Sequence, residues 1–219
     1  MRPQRFDLIA FDWDGTLFDS TALITRAIQR AAVDLGCPEP SEREASYVIG
    51  LSLYEGLAHA VPSLARERYA ELGQRYRHHY FGAQDELALF PGTLEMLAAL
   101  KARHHWITVA TGKPRAGLDR ALAQSDLVGT FDGSRCADET AGKPHPQMLL
   151  ELMREFGAEP ERTLMIGDTT HDLQMARNAG VPAVAVSFGA HESEDLLALE
   201  PLFLAHSTAE LHQWLADHA

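Results

Sequence analysis

The strongest constraint on this chain is a series of short apolar runs, each closed by a glycine, an aspartate or a hydroxyl residue and separated from the next by helical periodicity. The runs are Phe6–Phe11, Trp106–Ala110, Thr163–Ile166, Ala183–Ser187 and Leu202–Leu204. Continuous apolar runs of this length read as strands buried on both faces, the pattern of a parallel sheet wrapped by helices. The first three are followed closely by Asp12, Thr111 and Asp168. Open α/β sheets bind ligands beyond the carboxyl ends of their strands, so these three residues predict a single crevice.

The first and second runs are too far apart for one crossover. Residues 20–85 read instead as an all-helical insert. Leu23, Ile24, Ala27, Ile28, Ala31 and Leu35 follow a 3.6-residue period that stops at Gly36, with Asp19 or Ser20 as the expected helix cap, and Tyr69, Leu72, Tyr76 and Tyr80 form a later stripe. Phe90-Pro91-Gly92 marks the return to the core. The predicted organisation is an α/β core of residues 1–19 and 86–219 carrying a helical domain of residues 20–85.

Composition narrows the function. With 219 residues, 46% of them hydrophobic and 23% charged, the chain has enough apolar material to bury a core without disulfides. Its 19 basic and 31 acidic residues give a net charge of −12, which argues against nucleic acid or an anionic membrane as a partner. No stretch has the length and apolarity of a spanning helix, and Met1–Phe6 is followed by no signal-type apolar core. Cys37 and Cys136 lack metal-ligand spacing and read as reduced thiols that pack as small residues. The expectation is a soluble, cytoplasmic protein.

Asp12-Trp13-Asp14-Gly15-Thr16 directly follows the first strand. Two carboxylates two positions apart on a turning backbone can both face a phosphoryl group, one as nucleophile and the other as proton shuttle. Gly15 lets the backbone approach closely. This segment resembles the nucleophile loop of the haloacid dehalogenase-like hydrolases, whose phosphatases form an aspartyl phosphate. Three further stretches, in the family's order, extend the resemblance over nearly the whole chain. Thr111-Gly112-Lys113 is similar to the second motif, which implies that the Thr111 hydroxyl and the Gly112 amide hold phosphate oxygens; Lys113 reads as a solvated first-turn residue. Lys143, between Gly142 and Pro144, is similar to the third-motif lysine, implying that it neutralises nucleophile and phosphate. Gly167-Asp168-Thr169-Thr170-His171-Asp172 resembles the acidic fourth motif and also fits a capping box, Thr169 with Asp172.

The resemblance implies a Rossmann-like core with a helical cap domain, and Mg²⁺ held by Asp12, the Asp14 backbone carbonyl and Asp168, with Asp172 assisting directly or through water. It implies hydrolysis of a small phosphorylated metabolite, with Asp12, Asp14 and Lys143 catalytic. Ile49-Gly50-Leu51-Ser52 is similar to the corresponding segment of phosphoglycolate phosphatases and makes Gly50 a candidate for specificity. The seven arginines of the insert, Arg77 among them, read as solvent-facing. A sugar-phosphate mutase resembling β-phosphoglucomutase is the first alternative, weakened because residues 20–88 contain no lysine. A catalytically silent binding protein is the second, weakened by the presence of Asp12, Asp14, Lys143 and Asp168 together.

Overall fold

The computed structural model describes residues 4–83, 88–125 and 127–219. Strand β1 (Leu8–Phe11) lies between β2 (Trp106–Thr111) and β4 (Thr163–Gly167), and the six-stranded sheet runs β3-β2-β1-β4-β5-β6 with every pairing parallel. β3 is Gly133–Cys136, β5 Ala183–Val186 and β6 Leu204–Ala205. The side chains of β1 alternate between two cores, as strand pleating requires. Ile9 and Phe11 join a cluster with Met96, Leu100, Leu211 and Leu215, whereas Leu8 and Ala10 pack with Met148, Leu152, Met175 and Ala176. The helices that supply these residues are α5 (Thr93–Ala102) and α10 (Thr208–His218) on one face, α7 (Gln147–Phe156) and α8 (Thr170–Ala179) on the other.

Phe11 pairs in register with Val109 and Ile166, so β1, β2 and β4 end side by side and deliver Asp12, Thr111 and Asp168 to one edge of the sheet. Four of the five strands expected from apolar runs occupy those runs, with small changes at their ends. The last expectation, Leu202–Leu204, shifts to β6 at Leu204–Ala205. β3 has no apolar run to betray it: Gly-Ser-Arg-Cys is an edge strand, half-exposed up to Cys136, and its Arg135 is held by Glu151 and Glu155 of α7.

Between β1 and α5 the longer regular elements among the described residues are helices: α1 (Thr21–Asp34), α2 (Glu42–Tyr47), α3 (Leu53–Ala60) and α4 (Tyr69–Phe81). They bury a cluster of their own, built on Ile24, Ile28, Val48, Leu57 and Leu72, with Tyr69, Tyr76 and Tyr80 packed against it. The insert leaves and rejoins the core through a paired stem, where Asp19 N donates to Ala88 O at 2.9 Å and Phe90 N to Leu17 O at 3.0 Å. The expected boundary at residues 85 and 86 lies outside the described residues. Two remaining helices, α6 (Arg115–Gln124) and α9 (Ser193–Leu197), flank the sheet. Both cysteines are free thiols, Cys136 buried and Cys37 half-buried. Among the described residues no helix is long and apolar enough to cross a membrane.

Candidate active site

The loop after β1 separates its two carboxylates by turning Trp13 into the core, where it is fully buried and stacks on Phe18 with ring centroids 5.5 Å apart. Gly15 then takes φ +82°, and a Cβ there would overlap the Asp168 carboxylate, so only glycine lets the loop cross at this point.

Asp12, almost wholly buried, accepts a 2.6 Å bond from Lys143 Nζ on Oδ1, while its Oδ2 is buried with no hydrogen-bond partner among the described residues. The same Lys143 Nζ is 2.6 Å from Asp172 Oδ1, so one buried ammonium bridges two carboxylates. Asp172 stands in the first turn of α8 and closes the expected capping box: Thr169 N and Oγ1 donate to its Oδ2 at 3.1 and 2.6 Å. Asp168 accepts from Thr16 Oγ1 at 2.7 Å and from Ala190 N at 2.8 Å. Asp12, Asp168 and Asp172 bring carboxylate oxygens within 4.8 Å of one another.

Three buried carboxylates around one buried ammonium leave a formal charge of −2 away from the surface. Burial, reinforced by Asp172 and Asp14 and opposed by Lys143, pushes the Asp12 carboxyl up to about 7. Burial and the charges of Asp12 and Asp172 likewise hold the Asp168 carboxyl well above the usual range. Burial works against the Lys143 ammonium, yet Asp12 and Asp172 together keep its proton bound more tightly than in water. Hard oxygen donors, an orphaned buried carboxylate oxygen and a cluster short of positive charge fit a divalent cation.

Asp14 belongs to a second, adjoining group. Ser20 Oγ donates to its Oδ1 at 2.6 Å and Lys113 Nζ lies 2.9 Å from its Oδ2. The side chains of Lys113 and Asp14 are only 12% and 11% exposed, so the expectation of a solvated Lys113 is wrong. Lys113 also donates to Tyr80 Oη of α4 at 3.3 Å, linking the core to the insert. Ser20 is the N-terminal flanking residue of α1, but its side chain serves Asp14 and makes no cap bond. The sequence did hold a signal for Lys113, a lysine directly after a strand-ending Thr-Gly pair.

Thr111 is buried at the end of β2, and its Oγ1 accepts from Lys113 N at 3.2 Å. Gly50 and Gly112 meet where insert and core touch: a Cβ at Gly112 would stand 2.5 Å from Gly50 O and 2.6 Å from Leu51 O. Gly50 thus lies over the second motif and lines a cavity beside Asp14, and a Cβ on it would stand 3.3 Å from Thr169 Oγ1, the hydroxyl that donates to Asp172. Arg77 lines the same cavity, contrary to its expected solvent-facing place. His171 Nε2 and His191 Nε2 both donate to Tyr47 O, at 2.8 and 3.0 Å, a second tie between insert and core that no sequence pattern announced.

A six-stranded parallel sheet with an acidic, lysine-bridged cluster at its carboxyl edge defines a hydrolase class, and the comparisons agree. The sequence profile of the haloacid dehalogenase-like hydrolases matches residues 9–186. The chain is 36% identical to the probable phosphatase IndB of Dickeya dadantii over 93% of its own length and 91% of that protein's. It is 31% identical to a phosphoglycolate phosphatase of Vibrio vulnificus over 96% of both chains. A solved haloacid dehalogenase-like hydrolase from Streptococcus pneumoniae superposes with a TM-score of 0.81 at 27% identity, covering 96% of this chain and 98% of that one. The chain belongs to the haloacid dehalogenase-like hydrolase family. Family and relatives together make it an enzyme of the phosphatase class.

Proposed function

We propose that this phosphatase hydrolyses a small phosphomonoester through an aspartyl-phosphate intermediate on Asp12. The observation that carries the assignment is the state of the Asp12 carboxylate: Oδ1 is held by Lys143, and Oδ2 is buried, unpartnered and free to attack. Attack of Asp12 on phosphorus breaks the bond to the leaving oxygen, which takes a proton from the Asp14 carboxyl. A water then returns a proton to Asp14 and attacks phosphorus, releasing inorganic phosphate and the Asp12 carboxylate.

Asp12, Asp168, Asp172 and the Asp14 backbone carbonyl would hold Mg²⁺, with Asp172 placed to act mainly by orienting Lys143 and through water. When bound, the cation offsets the charge of nucleophile and phosphoryl oxygens. Lys143 neutralises Asp12, and Thr111 Oγ1 and the Gly112 amide receive the remaining phosphoryl oxygens. Lys113 and Ser20 keep Asp14 turned toward the leaving group. Residues 20–85 act as a cap domain over a core of residues 1–19 and 86–219, the substrate is a small phosphorylated metabolite, and the enzyme works in the cytoplasm. A sugar-phosphate mutase is disfavoured by the absence of lysine between residues 20 and 88.

The test is phosphate release from a panel of phosphorylated metabolites. Chelator should abolish it, Mg²⁺ restore it, and Asp12→Asn remove it in a folded protein. Turnover by a homogeneous Asp12→Asn preparation at the wild-type rate would refute the nucleophile.

A further inference from the structure

Beside Asp14 the insert and the core line a partly open cavity of about 150 Å³. Its lining is mostly carbon, with Ile24 and Ile28 from α1, Ile49 and Leu57 from the middle of the insert, and Tyr76 and Tyr80 from α4. Asp14 and Lys113 stand at its core end, and Lys113 is already neutralised by Asp14. Arg77, also in the lining, is half-buried and has no ion-pair or hydrogen-bond partner among the described residues.

A mostly apolar space of roughly 150 Å³ accepts a guest about as large as benzene. Glycolate, the alcohol of phosphoglycolate, is a two-carbon chain ending in a charge; it would leave the aliphatic wall unfilled and place its carboxylate against carbon. The Arg77 guanidinium, unpartnered among the described residues, supplies a polar anchor, since Arg binds carboxylates and carbonyls through a planar fork of N–H groups. We infer that the alcohol released by this enzyme carries a ring-sized apolar or aromatic body, with a carbonyl or carboxylate that Arg77 receives. The inference rests on the phosphatase reading above, because that reading puts the leaving oxygen at Asp14 and hence its substituent in the cavity.

The experiment compares kcat/KM, with Mg²⁺, for phenyl phosphate, para-carboxyphenyl phosphate and phosphoglycolate. Both aryl esters should exceed phosphoglycolate by about tenfold or more, as expected of a filled against an unfilled apolar pocket. Ile28→Phe, which narrows the cavity, should lower the aryl-to-glycolate ratio about tenfold. Arg77→Met should lower the ratio of para-carboxyphenyl to phenyl phosphate. Phosphoglycolate equal to or better than the aryl esters overturns the inference, as do unchanged ratios in both variants. Binding to the wild-type chain supplies a readout free of turnover and of variant folding: phenylphosphonate should bind more tightly than phosphonoacetate in calorimetry, and the reverse order overturns the inference. Absence of phosphate release from every ester would instead remove the phosphatase reading, while the phosphonate comparison still reports on the cavity.

Discussion

Replacing the nucleophile should make the metal-free protein more stable. Asp12, Asp168 and Asp172 place carboxylate oxygens no more than 4.8 Å apart, with only Lys143 between them. At that distance two full charges repel by about 3 kcal/mol at an effective dielectric of about 20. The rise of the Asp12 carboxyl from 3.8 to about 7 leads to a similar figure, roughly 4 kcal/mol of folding free energy forgone once the group is ionised. Asp12→Asn removes the charge but keeps an oxygen for Lys143, whose ammonium retains Asp172. The weakened Lys143 contact costs about 1–2 kcal/mol. The net expectation is a gain of about 2 kcal/mol, or a Tm rise of about 4–8 °C for a chain of this size.

The pH dependence has a definite sign. The folded state holds the Asp12 proton more tightly than the unfolded chain, so the penalty is complete above the folded value of about 7 and fades as pH falls toward the unfolded value of 3.8. The advantage of Asp12→Asn should therefore be largest near about pH 8 and shrink through neutrality. Melting is followed by calorimetry in chelator and again in millimolar Mg²⁺. The cation should raise wild-type Tm and leave the variant nearly unmoved, because only a folded site that binds it gains by linkage. A variant that melts below wild type in chelator near about pH 8 would refute the view of the site as an undercompensated carboxylate cluster.

Three further outcomes follow from other parts of the structure. Lys113→Met should lower kcat by about 10- to 100-fold with a smaller change in KM, because Asp14 loses its positioning partner, and Lys113→Arg should recover part of the loss; steady-state kinetics on one ester decides it. His105 gives its Nδ1 proton to Phe6 O at 2.8 Å, its Nε2 is buried without a partner among the described residues, and burial holds its pKa below the usual histidine value. Its contribution to stability should be complete above about pH 6.5 and drain away below it, so urea midpoints of wild type and His105→Gln should converge between about pH 7 and 5. The double variant His171→Phe, His191→Phe leaves Tyr47 O without its two donors, which should cost about 1–3 kcal/mol and speed amide exchange in α2 and α3; unchanged exchange would mean that the tie carries no load.

The parts of this fold that were legible are those where one physical demand governs the sequence. Strands buried on both faces must be apolar throughout, so β1, β2, β4 and β5 declared themselves, and α1 and α4 showed their stripes. Edge strand β3 is polar because its outer side meets solvent and Arg135 is satisfied by α7, which leaves no periodicity to read. In the site, Asp12, Lys143, Asp168 and Asp172 were legible because they sit at element ends in recognisable order. Lys113 and Arg77 were not, since burial of a long cationic side chain depends on what folds over it. For Lys113 that cover comes from Tyr80 of the insert; the Thr-Gly pair before it marks its place at a strand end but not its burial.

The insert's contacts with the core also bear on how the acid is prepared. Lys113 touches Asp14 of the core and Tyr80 of the insert, so the placement of α4 affects the partner of the proposed proton donor. Tyr47 O is held by two core histidines, and Gly50 O and Leu51 O crowd Gly112 too closely for any side chain. These ties hold the insert against the core beside the cavity that Asp14 and Lys113 line. Tyr80 and the apolar lining of the cavity shield Lys113 and Asp14 from solvent on the insert side, which favours proton transfer from the proposed donor to a leaving oxygen placed there.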